Sequence, residues 1–315
     1  MDGERRRKEE TVDRSIKGFC YSAMGGMFWG LSGIFAKFLF LDGIDPVWLV
    51  AARLLFGGGL LVLWSILRQG RDSFRVFHSR RNRIGLGIFA IFGMLGVQLS
   101  YFMAIDASNP AVATILQYLA PVIILFYTLI RERRHAAVSE IIVLILILAG
   151  VFLLTTHGKM DGLVISGAAL LWGLLSAVTA AFYMTQPKRL LEEFGSVAVV
   201  GWGMLIGSIP CLPVLIRRFD PVVLEGPDPA LLAGVIILGT ALGFALYLEG
   251  VRMVGPLTGS LLGSVEPLTA AVCTVVLLGQ PFYRMDCIGI LLILVGVTLL
   301  TAGPGMIIKK RKARG

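Results

Sequence analysis

The sequence predicts an all-α integral membrane protein of ten transmembrane helices, arranged as two inverted five-helix repeats with both termini in the cytoplasm. Composition is the first ground. Of 315 residues, 56% are hydrophobic and 16% charged, and the mean hydropathy is +0.82; a soluble domain carries about a quarter charged residues. The second ground is length. Apolar stretches at 17–41, 45–67, 83–105, 110–130, 138–156, 161–185, 197–218, 230–253, 256–279 and 286–305 can each cross a hydrocarbon core about 30 Å thick as helices rising about 1.5 Å per residue. The third ground is an internal repeat. A constant offset of 146 pairs Gly93 with Gly239, Tyr101 with Tyr247, Pro110 with Pro256, Pro121 with Pro267 and Gly150 with Gly296, and an offset of 143 pairs Trp29-Gly30 with Trp172-Gly173. Such register points to duplication, and an odd number of spans per unit turns the second unit upside down.

Charge fixes the orientation. If the N-terminus is cytoplasmic, 23 of the 29 Lys and Arg fall on the inner side and four (Lys159, Arg217, Arg218, Arg284) on the outer, with Lys37 and Arg53 inside spans. The positive-inside rule then places both termini in the cytoplasm of a multi-pass protein of the cytoplasmic membrane. The same asymmetry explains the net charge of +9 without a nucleic-acid partner. The basic tail has no interleaved aromatics to stack on bases.

Along the chain, residues 1–16 mix both signs without a cleavable small-residue site, so they are expected to be a cytoplasmic segment and the first span to be retained. The first repeat covers 17–156. Its first span carries Trp29 and Lys37, and Lys37 can snorkel to the outer interface. The second follows Pro46 and buries Arg53 about 11 Å below the outer boundary by helical rise. Arg53 could bind a substrate carboxylate with its planar fork, or pair with an acidic group or a carbonyl as a folding element. The third holds Gln98 and Tyr101, which tyrosine anchoring near span ends would also explain. The fourth opens at Pro110 with Asn109 as cap. Eleven residues on, Pro121 is expected to break the ladder and free the carbonyl of Gln117, whose side chain is a further candidate.

The second repeat covers 161–305. Its first span aligns Trp172, Ser176, Thr179 and Tyr183 on one face, suited either to a polar cavity wall or to hydrogen bonds between helices. The eighth carries Tyr247 and ends in Glu249 and Arg252, a spacing that favours their pairing. The ninth repeats the proline device. Pro267 is expected to free the carbonyl of Gly263, and Gly255, Gly259 and Gly263 recur every four residues beside Ser260 and Ser264, allowing close helix approach. Freed carbonyls in lipid must find protein or water, so both kinked midpoints are expected to face a central cavity. Glu266 lies about 15 Å into the ninth span. A carboxylate there marks a substrate site, a proton relay or a buried ion pair. Residues 306–315 form a basic cytoplasmic tail.

Other chemistries are excluded or disfavoured. The histidines His78, His135 and His157 fall in loops, no His, Cys, Asp or Glu cluster has metal-ligand spacing, and Cys20, Cys211, Cys273 and Cys287 read as apolar fillers. Without a P-loop the chain is no ATP-driven pump. A membrane-embedded enzyme would need a second midplane carboxylate or a nucleophile with its base, and a channel a ring of like charges. An inverted repeat with helices broken at the midplane is the architecture of secondary transporters. No cofactor or metal is expected, and the partners are the bilayer, a small-molecule substrate and, through Glu266, a proton.

W-G-L-S-G-I-F-A-K at 29–37, the Arg of A-A-R-L-L-F at 51–56, N-P-A-V-A-T-I-L-Q-Y-L-A-P-V at 109–122 and G-P-L-T-G-S-L-L-G-S-V-E-P-L-T-A at 255–270 resemble the drug/metabolite transporter superfamily, and within it the ten-span EamA-type transporters. The resemblance covers about residues 18 to 302. It implies a secondary carrier, often an exporter of amino acids or other small metabolites, alternating access between two inverted halves around a central cavity. The family's Glu-Pro maps onto Glu266-Pro267 and its arginine onto Arg53, whereas its Leu-Gly-Glu run reads Leu278-Gly279-Gln280 here. The expected activity is therefore transport, with export favoured, of a small polar metabolite such as an amino acid. The alternative is proton-coupled export of hydrophobic organic cations or drugs, with Glu266 as counter-charge and tryptophans as cation–π walls. A membrane-embedded enzyme is the remote alternative.

Overall fold

The structure, a computed structural model, describes residues 2–133, 135–157, 165–217, 224–254, 262–263 and 265–312. Lys159, Arg218, Gly255, Pro256, Gly259, Ser260 and Ser264 lie outside the described residues. Among the described residues every regular element is helical, and the main ones follow the order of the expected spans. They are α1 Asp2–Leu41, α2 Pro46–Phe77, α3 Arg80–Ala107, α4 Pro110–Glu132, α5 Val138–Thr156, α6 Gly167–Thr185, α7 Ser196–Leu215, α8 Asp228–Val254, α9 Val265–Leu278 and α10 Arg284–Lys312. Among the described residues, seven helices are long and apolar enough to cross a membrane: α1 (from Ile16), α2, α3, α4, α6, α7 and α8. Val138–Leu154 and Val265–Leu278 are shorter apolar helices.

Several details depart from the hydropathy reading. The polar residues before Lys17 continue the first helix back to Asp2, because Glu, Lys and Arg are good helix formers whether or not they are apolar. A short helix, Lys188–Phe194, joins α6 to α7. Widened, π-helical turns occupy Arg53–Gly57 in α2, Phe89–Leu95 in α3 and Gly234–Leu242 in α8. Hydropathy cannot register them, since a π turn keeps the same side chains and changes only which carbonyl meets which amide.

Packing pairs each half with the other. α1 lies against α8 and α9, α6 against α3 and α4, α2 against α7, and α5 against α10. The contacts are close where side chains are small. A methyl on Gly250 would meet Ser22, one on Gly243 the Trp29 indole, and one on Gly239 Ser32, so α1 and α8 run antiparallel along a shared seam. Outward, α5, α9 and α10 present large apolar side chains such as Ile145, Val276 and Leu291, each more than half exposed. A belt of that kind suits lipid rather than water.

The α5–α10 pair gives a direct test. A Cβ on Gly150 would lie 2.7 Å from Gly289 O and 3.1 Å from Ile293 N, both backbone atoms that cannot swing aside. Gly150→Ala is therefore expected to cost about 1–3 kcal/mol, the usual penalty of overpacking, seen as a lowered Tm in detergent. Gly59→Ala, where nothing lies within 4 Å, is the control and should leave Tm unchanged or raise it.

One end of this pair is pinned by a contact the loop position of His157 did not suggest. His157 Nδ1 pairs with Asp286 at the start of α10, and the imidazole packs on Tyr283 with ring centroids 4.8 Å apart. Asp286 also accepts from the Tyr283 amide at 2.9 Å. The residue is nearly fully buried, and these bonds account for both of its carboxylate oxygens.

Candidate functional site

The two helices with internal prolines meet. α4 opens as the sequence predicts, with Asn109 Oδ1 accepting from the Val112 amide at 2.9 Å ahead of Pro110. Its regular ladder ends at Gln117 and resumes at Ala120. Pro121 has no amide to offer the Gln117 carbonyl, and the chain responds with a tight turn in which Leu119 N donates to Leu116 O at 3.1 Å. Tyr118 sits in that turn, and its hydroxyl donates to Gly263 O. Gly263 is the residue whose carbonyl Pro267 is expected to free, so the turn that breaks α4 supplies a donor to that carbonyl. A side chain on Gly263 would approach both the Tyr247 and Tyr118 hydroxyls, which places Tyr247 at the same spot. Tyr118→Phe leaves the Gly263 carbonyl without this donor and is expected to lower stability by about 1–2 kcal/mol, read as a Tm shift.

Glu266 is three residues further along. It is half-buried. The hydroxyls of Tyr118 in α4 and Tyr247 in α8 thus meet at Gly263, in one interior region with Glu266. α1 closes it. A methyl on Gly30 would lie 2.8 Å from Glu266 O, and one on Gly26 3.4 Å from Glu266 N, so the α1 backbone presses directly on the segment bearing the carboxylate. From the same helix Trp29 packs on Tyr247 and Phe244, with centroids 4.7 and 5.1 Å apart. An aromatic wall therefore runs from α1 to α8.

Arg53 reaches this region but is already engaged. Its Nε donates to Thr240 Oγ1 at 2.9 Å and its Nη2 to Gly239 O at 3.0 Å. Its guanidinium lies over the Phe102 ring, 5.2 Å from the centroid. The π turn of α8 creates this acceptor pair, because widening shifts the ladder and leaves a carbonyl to be satisfied from outside. Thr240 spans the widened turn itself, donating to Val235 O at 3.1 Å. Among the described residues, then, Arg53 fastens α2 to α8 and makes no ion pair with Glu266.

The remaining candidates divide. Tyr101, buried in α3, shares a 2.8 Å hydrogen bond with Thr114. Tyr183 stacks on Phe89 with centroids 5.6 Å apart. Gln117 and Trp172 are half-buried, and Gln98 is buried within α3. Of the two readings that the stripe on α6 left open, the contacts of Ser176 and Thr179 fit hydrogen bonding within and between helices. Ser176 is fully buried and donates to Gly173 O at 2.8 Å, while Thr179 bonds back to Leu175 O and pairs with Ser100 across the α3–α6 seam at 3.1 Å. A hydroxyl whose own helix turn offers a carbonyl is satisfied locally. Lys37 does not snorkel. Its Nζ donates to the carbonyls of Ile105 at 3.2 Å and Asp106 at 2.9 Å, capping the C-terminus of α3 where a positive charge is favoured. Glu249 and Arg252 pair as expected, Nε to Oε2 at 2.9 Å. Among the described residues no group of three or more His, Cys, Asp or Glu could hold a metal ion.

Sequence reasoning named the freed carbonyl of Gly263 but missed Tyr118. The available signal was its position, between Gln117 and Pro121 in the turn that the proline forces. It also missed Thr240 and Phe244, which carry no pattern of their own and matter only through what α1 and α2 bring to them.

Residues 16–156 and 167–302 each match the EamA-like transporter family. The chain is 36% identical over 286 residues to the uncharacterized inner membrane transporter YicL of Salmonella typhimurium, covering 90% of this chain and 95% of that one. It is 27% identical over 305 residues to the uncharacterized transporter YwfM of Bacillus subtilis, covering 92% and 96%. The threonine/homoserine exporter RhtA of Salmonella typhimurium is 26% identical over 222 residues, 70% of this chain and 71% of that one. A solved crystal structure superposes with a TM-score of 0.59 at 18% identity over 92% of this chain and 96% of the other, a likeness of fold.

Proposed function

From the premise that the chain belongs to the EamA-like transporter family and is a multi-pass membrane transporter, we propose that it is a secondary carrier that exports a small polar metabolite such as an amino acid. Two inverted repeats, 17–156 and 161–305, would alternate access to the interior region around Glu266, with both termini in the cytoplasm. The family match to each half and the cross-pairing of α1 with α8 and α9, and of α6 with α3 and α4, support the repeat. The excess of Lys and Arg on one side supports the orientation, and the likeness to RhtA supports export and an amino-acid-like substrate.

The observation that carries the reading is the meeting of Tyr118 and Tyr247 at Gly263, three residues before Glu266 and beside the turn that breaks α4. Broken helices at mid-depth are where transporters of inverted-repeat design bind their substrates, and a carboxylate there is costly unless it is used. Gln117 and Trp172 complete the proposed lining. Proton coupling would run through Glu266. The test is uptake of labelled amino acids and organic cations into sealed proteoliposomes with and without an imposed pH gradient. Saturable, substrate-specific accumulation that collapses with the gradient supports a proton-coupled carrier. Flux that never saturates in any solute would remove the carrier reading.

A further inference from the structure

The connection from α2 to α3 is basic and folded. From Arg68 to Arg83 it carries six arginines against one acidic residue, Asp72. The positive-inside rule asks only for the charges, and a loose loop would satisfy it. Here Gly70, at φ 59°, ends the regular helix, and Gly70–Phe77 continues as a 3-10 run, in which residues three apart share a face. Ser73 and Val76 form the buried face. The next face carries Arg71, Phe74 and Phe77. Both rings pack on Trp202 of α7, with centroids 5.3 and 4.9 Å away, and the Trp202 indole donates to Ser73 O at 2.9 Å. On the third face Asp72 and Arg75 lie 4.0 Å apart, so the one acidic residue is taken. Arg68, Arg71, Arg80 and Arg81 are exposed and have no hydrogen bond or ion pair among the described residues. Arg80 and Arg81 also stand in the first turn of α3, where positive charge is unfavourable, with no acidic residue in that turn. This surface lacks an anion.

Apolar surface adjoins it directly. Leu67, one residue before Arg68, is 77% exposed, and Ile84, one residue after Arg83, is 52% exposed. Phe74, on the same face as Arg71, is 42% exposed. A soluble polyanion would meet only the guanidinium groups. A phospholipid meets both surfaces, with its phosphate at the arginines and an acyl chain along the leucine and isoleucine. The aromatic cluster around Trp202 suits the same level, since indoles concentrate where headgroups meet hydrocarbon.

We propose that the α2–α3 connection is a binding site for one anionic phospholipid, held by its phosphate at Arg68, Arg71, Arg80 and Arg81 and by an acyl chain against Leu67 and Ile84. It belongs to the leaflet at that end of the bundle, the cytoplasmic one under the orientation given above. The site is separate from the interior region around Glu266, so it is independent of which substrate is carried. Trp202 ties the connection to α7, and Arg189 of the α6–α7 connection bonds to Asn82 at the start of α3. A lipid seated there braces α2 and α3 against the second half of the chain, and its occupancy raises Tm.

The experiment titrates the full chain in neutral detergent with dioleoyl phosphatidylglycerol or dioleoyl phosphatidylcholine, counting bound lipids by native mass spectrometry and following Tm. The first phosphatidylglycerol is expected to bind with a Kd about fivefold or more below that of phosphatidylcholine, the contribution of at least one arginine near a headgroup, and to raise Tm. Replacing Arg68, Arg71, Arg80 and Arg81 by Gln should remove that preference. Because these side chains are exposed and make no bonds among the described residues, Tm without lipid should hold. The single reversal Arg71→Glu, a milder change to the fold, should reduce the preference severalfold by itself. Arg131→Gln with Arg133→Gln, on the α4–α5 connection at the same end, is the control and should keep it. Equal affinity for the two lipids in the wild type would overturn the inference. So would a preference that survives the four substitutions, or one that falls as far in the control, since general charge would then account for it. Displacement of the lipid by inorganic phosphate, at an ionic strength matched with chloride, would also overturn it and make free phosphate the ligand.

Discussion

Glu266→Gln is expected to abolish substrate accumulation while leaving the protein folded. The amide keeps the size and shape of the carboxylate and removes only its charge. In the interior that charge would be the counterpart of the substrate's ammonium, and removing one member of a buried, hydrogen-bonded charge pair costs about 2–5 kcal/mol. At about 1.4 kcal/mol per factor of ten, the loss in substrate affinity is from about thirtyfold to several thousandfold. The fold should not suffer in proportion. Among the described residues Glu266 makes no ion pair, Arg53 is held by Thr240 and Gly239, and a neutral group is cheaper to bury than a charged one. Glu266→Asp keeps the charge but withdraws it by one methylene, and should transport at an intermediate level. Flux and Tm separate the possibilities. Wild-type flux in the Gln variant would make Glu266 a structural charge, and a collapse of Tm alongside flux would make it a folding element.

That Glu266 could be singled out from sequence follows from the membrane itself. In a solvent that penalises charge, a lone carboxylate ten residues into an apolar span stands out without any knowledge of its neighbours. The same holds for the seven helices long and apolar enough to cross a membrane among the described residues, whose length and composition are local properties, and for the break at Pro121, which follows from a missing amide. What could not be read is whatever depends on partners distant in the chain. Arg53 looked equally fit for a substrate or for packing, and only the carbonyl of Gly239, 186 residues away, separates the two. Ser176 and Thr179 fell on the correct face of α6, but that face meets α3 rather than open space. His157 seemed a loop residue because Asp286, 129 positions on, is invisible to any local pattern. The widened turns at Phe89–Leu95 and Gly234–Leu242 lie almost at the 146-residue offset, so the repeat extends to backbone irregularities that hydropathy does not encode.

The second large effect concerns Arg53, and it is expected in stability rather than in affinity. Arg53→Ala removes two charged hydrogen bonds that join α2 to the π turn of α8, together with the contact on Phe102. Bonds to a charged group contribute about 1.5–3 kcal/mol each in proteins, while interhelical polar contacts in membranes often contribute less, because the separated helices find other partners. Together these bracket a loss of about 2–5 kcal/mol. It should appear as a lowered Tm and reduced yield in the membrane. Arg53→Lys keeps the charge but not the fork: a single ammonium cannot match the guanidinium geometry toward both Thr240 Oγ1 and Gly239 O, nor lie flat over the ring. It should recover only part of the loss. A double-mutant cycle with Thr240→Val tests the assignment, because the two substitutions should be less than additive if they remove the same fastening. Transport supplies the opposing outcome. Were Arg53 instead a ligand for a substrate carboxylate, Arg53→Lys would raise KM for amino acids steeply with Tm unchanged, and the fastening would have to be assigned to other contacts between α2 and α8.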